Sequence, residues 1–206
     1  MKTLLHVGCG PQNILSLKGF PENNWEELRF DIDENVKPDL IGTLTDMSAV
    51  QSNSVDAIYS SHNIEHIFPH EVNTVFKEFV RVLKPEGFLV IACPDLQSVC
   101  EHVAKGNLAD PLYISPAGPI SAMDILYGHI QAIANGNTYM AHRCGFTWAL
   151  LNKKLHEAGF QMVYGAQHAD QFALKAIACK SIIPDQLIKE YHNTYCLLYT
   201  SDAADE

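Results

Sequence analysis

The chain has 206 residues, close to half of them apolar, which is enough for the core of one ordinary domain. Its formal net charge is −10, with 14 Lys and Arg scattered among 24 Asp and Glu. A protein that grips a phosphate backbone carries a basic stripe, so no nucleic-acid partner is expected. No apolar run approaches a membrane span, the chain enters an apolar segment directly after Met1 with no room for a signal peptide, and the six cysteines form no C-x-x-C pair. The expectation is a reduced, cytoplasmic protein with no membrane contact.

Strands are predicted over residues 3–7, 27–32, 40–43, 55–60, 88–93, 161–167 and 172–179. The run from Phe88 to Cys93 is apolar on both faces, as a central parallel strand requires. Helices are clearer in the second half. Val72, Val75, Phe76, Phe79, Val80 and Leu83 repeat at i, i+3, i+4 over 71–83, and Pro85 and Gly87 stop the repeat. Asp95 is placed to cap a helix that ends at Gly106; another runs from Met123 towards Gly136, and a fourth over 147–158. The first half is pared down. Seven residues (33–39) separate the second and third strands, where a parallel crossover normally takes about a dozen. The last two strands are close enough for a hairpin, which would complete the fold before residue 181.

The first strand breaks into Gly8-Cys9-Gly10, and glycines let a ligand come close to the main chain. In open α/β sheets ligands bind outside the carboxyl ends of the strands. The second strand ends in Phe30-Asp31-Ile32-Asp33, and a carboxylate there can accept ribose hydroxyls. A dinucleotide fingerprint needs G-x-G-x-x-G opening a helix; Asn13 stands at the third position, and Gly19 and Pro21 work against a helix. A nucleoside cofactor without pyrophosphate fits better.

These segments, with Thr45-Asp46-Met47, the stretch from Ser54 to His66 and the run from Phe79 to Ile91, resemble the class I S-adenosylmethionine-dependent methyltransferases, in the form of a small stand-alone domain. The resemblance implies a Rossmann-like α/β fold: a mostly parallel sheet of about seven strands with a C-terminal antiparallel hairpin, here with helices reduced in the N-terminal half. It implies S-adenosylmethionine as cofactor and direct transfer of its methyl to an acceptor. Gly8, Cys9 and Gly10 would pass under the methionine part, Asp31 with Ile32 would take the ribose, Asp46 and Met47 the adenine, and Ser61 would face the methyl group. Asp33 is the alternative ribose ligand, against a plain role as turn former. His6 departs from the family, which usually has an acid there. The segment from Tyr113 to Phe146 would cover the acceptor, and its Gly, Pro, Met and aromatic content suits a small, partly apolar molecule. His62 and then His142 are the candidate general bases, whereas His129 reads as packing or surface.

Two rivals stand beside this reading. One is a domain that binds S-adenosylmethionine without turnover. The other starts from His62-Asn63-Ile64-Glu65-His66, which spells the H-x-x-E-H signature of inverted zinc peptidases. That motif needs a helix and a downstream glutamate ligand. It begins here at a strand end, and residues 106–143 contain no glutamate, so no metal ligand is assigned. Residues 1–195 are read as the one domain. Residues 196–206 read as a translated sequencing adapter; without its three acids the net charge would be −7 (−10 plus 3).

Overall fold

The computed structural model describes residues 1–115, 118–168 and 171–197. Strands β1 (Lys2–Val7), β2 (Trp25–Asp31), β3 (Leu40–Ile41) and β4 (Val55–Ser61) come first, followed by helix α1 (Val72–Val82), β5 (Leu83–Pro94) and α2 (Leu96–Val103). A hairpin of β6 (Pro111–Ser115) and β7 (Gly118–Ser121) precedes α3 (Ala122–Tyr127), α4 (Ile130–Ala134) and α5 (Trp148–Ala158). The chain then forms β8 (Met162–His168), β9 (Ala173–Cys179) and α6 (Asp185–His192).

Seven strands make one sheet in the order β3-β2-β1-β4-β5-β9-β8. The first five are parallel, and β9 lies antiparallel to both β5 and β8. The order reverses between β1, whose next strand lies on one side, and β4 on the other. That reversal opens a crevice beyond their carboxyl ends.

Alternation along the strands sorts the core into two faces. Leu5, Val7, Ile58, Leu89, Ile91 and Leu174 point to one, where α1 packs Val75, Phe76 and Phe79 and α5 packs Leu151 and Leu155. Leu4, Tyr59, Phe88, Val90 and Ile177 point to the other. A helix after β1 would ordinarily cover this second face. Residues 8–24 instead hold only the short turn Ile14–Ser16, and cover comes from Leu17, Phe20 and the far end of the chain. There α6 and the turn Asn193–Leu197 bring Ile188, Tyr191, Tyr195 and Cys196 onto the sheet, with the Phe88 ring 4.6 Å from that of Tyr191 and 5.1 Å from that of Tyr195. The fold is therefore not complete before residue 181, as the hairpin suggested. Leaving that apolar face wet would forgo about 1.5–3 kcal/mol per large side chain. Of the tail read as adapter, Cys196 is buried in this cluster and residues 198–206 lie outside the described residues.

Two further departures concern the segment over the crevice. The helix expected from Met123 to Gly136 is split into α3 and α4 at Gly128, which has φ +98° and bridges to Ala141. A Cβ there would lie 1.9 Å from the Met140 carbonyl oxygen. The β6–β7 hairpin was not expected. With Val99, Ala122 and Ile125 it builds a small core of its own around Ile120. Elsewhere local signals hold: Asp95 caps α2 by accepting from the Gln97 and Ser98 amides, and Thr147 caps α5. Among the described residues no helix is long and apolar enough to cross a membrane.

Candidate active site

The crevice lip is built by the ends of β1 and β2. Gly8, at φ +59°, donates its N–H to the Phe30 carbonyl at 2.9 Å. A Cβ on it would lie 2.4 Å from the Asn63 side chain, so the turn and the segment after β4 touch only because Gly8 has none. The Asp31 carboxylate, at the end of β2, accepts from the Gly10 N–H through Oδ2 and from the Asp33 N–H through Oδ1, both at 2.9 Å. Each oxygen keeps a second lone pair for a ligand. Cys9 is a packing group: it is buried, and burial pushes its thiol up to about 11.

Arg29, which the sequence reading missed, fastens this lip. Its guanidinium donates to the carbonyls of Gln12 (3.0 Å), Gly10 (2.6 Å), Val36 (3.1 Å) and Lys37 (2.9 Å). His6 pairs through Nδ1 with Glu27 Oε1 at 2.7 Å, and Glu27 Oε2 accepts the Ile14 N–H at 2.8 Å. Glu27, Arg29 and Asp31 share one face of β2, the face that lost its covering helix. That polar period of two was the available signal.

One cavity of about 420 Å³ extends from this lip under the 113–143 segment. Gly8, Cys9, Gly10, Asp31, Ile32, Ser61, His62 and His142 all line it. Tyr113, Ile120, Ile125, Tyr139 and Met140 form its apolar roof, and His129 also reaches its wall. Asp46 and Met47 do not take part. Met47 is fully buried and gives its N–H to Glu78 Oε2 at 3.0 Å, while Asp46 caps its own turn through the Ser48 N–H. The cause is the length of β3, which ends at Ile41 and not at residue 43. Gly42, Thr43, Leu44 and Thr45 therefore occupy the cavity wall two residues earlier than expected.

Beyond β4 the chain turns sharply. His62 has φ +46° and donates its N–H to the Ala92 carbonyl, and Ile64–His66 is a single 3-10 turn. The helix that the inverted-peptidase motif requires is absent. Glu65 is nonetheless 1% exposed, and neither of its oxygens has a hydrogen bond of ordinary geometry. The nearest nitrogen is His62 Nδ1, 3.4 Å from Oε1. Burial would raise this carboxyl, but His62, with His66 and His142 behind it, holds it below the usual carboxylate range. His142 arrives from the far side of the cavity. Its ring stands 4.9 Å from that of His66, and burial lowers its pKa and favours the neutral imidazole. Main-chain bonds from Arg143 and Cys144 to the Glu65 carbonyl fix the two segments together.

Residues 5–91 match the family model described as a methyltransferase domain. Solved structures of similar fold include a possible exported protein from Bordetella parapertussis, at 17% identity and TM-score 0.59, with 88% of this chain covering 62% of that one. The chain thus spans less than two thirds of that protein's length. A SAM-dependent methyltransferase from Methanosarcina mazei matches at 17% identity and TM-score 0.58, covering 88% of this chain and 93% of that one. The 1,6-didemethyltoxoflavin-N1-methyltransferase of Burkholderia thailandensis, solved with bound 1,6-didemethyltoxoflavin and S-adenosylhomocysteine, matches at 12% identity and TM-score 0.53, covering 88% and 72%. The fold is that of a class I S-adenosylmethionine-dependent methyltransferase. No curated protein sequence matches the chain. Within this methyltransferase fold, the glycine turn, Asp31 and the segment after β4 surround one hollow at the sheet's switch point, and Asp46 lies outside it.

Proposed function

We propose that the protein binds S-adenosylmethionine and transfers its methyl group to a small-molecule acceptor. The observation that carries this reading is the continuity of the cavity from Gly10 and Asp31 at one end to the apolar roof and His142 at the other. Its volume falls within the roughly 300–1,000 Å³ usual for small-ligand sites. Its walls suit the cofactor. A side chain on Gly10 would meet nothing within 4 Å, so the main chain there lies open to a ligand. Asn63 Nδ2, buried beside Gly8 without a partner, is a donor suited to a ligand carboxylate.

In this reading Asp31 accepts the ribose hydroxyls, the Gly8–Gly10 main chain and Asn63 hold the amino-acid end, and Ile32 and Leu44 pack against the base. Bound there, S-adenosylmethionine supplies a sulfonium methyl that leaves for the acceptor nucleophile while the C–S electron pair stays on sulfur. The protein's own part is alignment and exclusion of water under the 113–143 segment. His62 takes a proton from a hydroxyl or thiol acceptor, with His142 as the second candidate. The six free cysteines fit a reducing, cytoplasmic setting.

Calorimetry with S-adenosylmethionine, followed by assay of S-adenosylhomocysteine formation against metabolite mixtures, tests the proposal. It expects binding and turnover, with turnover lost when His62 and His142 are both replaced by Ala. Absence of binding overturns it, and binding without turnover in any mixture assigns the chain to a cofactor-binding subunit.

A further inference from the structure

We infer that the cavity holds a divalent transition-metal ion between Glu65, His66 and His142. One ligand atom from each lies within 4.8 Å of the others. Two donors at metal bond lengths of about 2.0–2.2 Å lie about 3–4 Å apart, so the cluster draws in by about an ångström around an ion. Three independent features of the cluster point to a cation. First, Glu65 is buried with neither oxygen in a hydrogen bond of ordinary geometry, the nearest donor being His62 Nδ1 at 3.4 Å. An ionised carboxylate withdrawn from water is costly unless a cation or donors meet it.

Second, both imidazoles are prepared as ligands. His66 Nδ1 lies 3.2 Å from the Ala141 carbonyl oxygen and His142 Nδ1 2.7 Å from that of Ile125. A carbonyl only accepts, so the proton sits on Nδ1 in each ring and the Nε2 lone pair is left for a metal. Histidine ligands are characteristically fixed by such an outer hydrogen bond. Third, the donors are held by main chain from both sides of the cavity: the Arg143 and Cys144 amides bind the Glu65 carbonyl at 2.8 and 3.1 Å. Two imidazoles and one carboxylate suit zinc, iron(II) or manganese(II), and leave coordination positions open.

Those positions face the same cavity as Ser61 and His62. Resting on the methyl-transfer reading, they would take an acceptor oxygen, whose O–H the metal would acidify. The acceptor class is then a hydroxyl compound. Its proton leaves to His62, the new bond forms between oxygen and the methyl carbon, and the sulfonium becomes a neutral thioether.

The rival account is a closed charge network in which protonated His62 satisfies Glu65 and no metal binds. The test uses the chelator-stripped full chain. Zinc affinity is measured by competition with a chromophoric chelator, and cobalt(II) binding by its visible absorption. One equivalent of each is expected, with affinity falling at least tenfold in His66→Gln and in His142→Gln. His70→Gln, at an exposed position, keeps the parent affinity. S-adenosylmethionine calorimetry on each variant reports whether the cofactor end is intact. Less than half an equivalent of zinc on the parent overturns the metal site, as does unchanged zinc affinity in the two ligand variants or an equal loss in His70→Gln. Zinc binding without S-adenosylmethionine binding overturns the cofactor reading and leaves the metal site standing.

Discussion

Replacing Asp31 by Ala removes one carboxylate with two separable duties. In the free protein it accepts the Gly10 and Asp33 amides at 2.9 Å each. Both donors sit at the cavity mouth, where water can replace the lost acceptor, so the cost to stability is set at about 1–2 kcal/mol. For a chain of this size that is a fall of about 2–8 °C in Tm. In the complex the same carboxylate would also accept ribose hydroxyls. A hydrogen bond to a charged group contributes about 1.5–3 kcal/mol, which at 1.4 kcal/mol per decade weakens S-adenosylmethionine binding about 10- to 150-fold. Calorimetry and thermal unfolding on one preparation separate the two effects. Asp33→Ala, at a cavity-lining residue whose side chain caps the Asn35 turn, tests the alternative ribose ligand, and Asp46→Ala is a control outside the cavity. Both should bind within about threefold of the parent. The reasoning is refuted if Asp31→Ala keeps parent affinity, or if Asp46→Ala loses as much.

Gly128→Ala forces a Cβ to 1.9 Å from the Met140 carbonyl, so the 138–142 segment must move. Turnover should fall at least tenfold while S-adenosylmethionine affinity holds within about threefold, and kinetics beside calorimetry on this variant reports both. Ile188→Ala, at a position 2% exposed under the sheet, should cost about 2–4 kcal/mol, or roughly 4–16 °C in Tm. An unchanged melting curve would mean that α6 is not part of the core. Glu78 is held below its ordinary 4.5 by Arg81, which donates to both its oxygens at 2.7 and 2.8 Å. Its contribution is therefore present in full above that ordinary value and is lost as pH falls through the lower folded one. Urea unfolding should show Glu78→Gln weaker than the parent at pH 7, with the gap closing towards pH 3; a gap that widens in acid contradicts the assignment.

The parallel strands were legible because burial on both faces leaves a mark in sequence that little else makes, as in the run from Phe88 to Cys93. Asp31 was legible from its place about twenty residues after the glycine turn, at the end of the second strand, because the sheet sets where strand ends point. What escaped depends on chain that returns from a distance. Ile188, Tyr191, His192 and Tyr195 carry a helical period, yet nothing local says that their partner is the face left bare after β1. Asp46 and Met47 were placed by the family motif alone, whereas Gly42 to Thr45 form the cavity wall, and a strand of two residues has no periodicity to bound it. His62, Glu65 and His66 were visible as a motif. Their meaning changed with geometry, because a left-handed residue and a 3-10 turn replaced the helix and His142 came to stand beside Glu65 and His66. Gly128 shows the same limit from the other side: a helical repeat was real in sequence, and a turn that returns 12 residues on breaks it.

Crystals grown with S-adenosylhomocysteine give the most direct trial of a nucleoside seat at the joined ends of β1 and β2. The account predicts ribose hydroxyls on the Asp31 carboxylate, the amino-acid end against Gly8, Gly10 and Asn63, and the base between Ile32 and Leu44. Density for the ligand on the Asp46–Arg81 side of the sheet, or none in the cavity at saturating concentration, would contradict it.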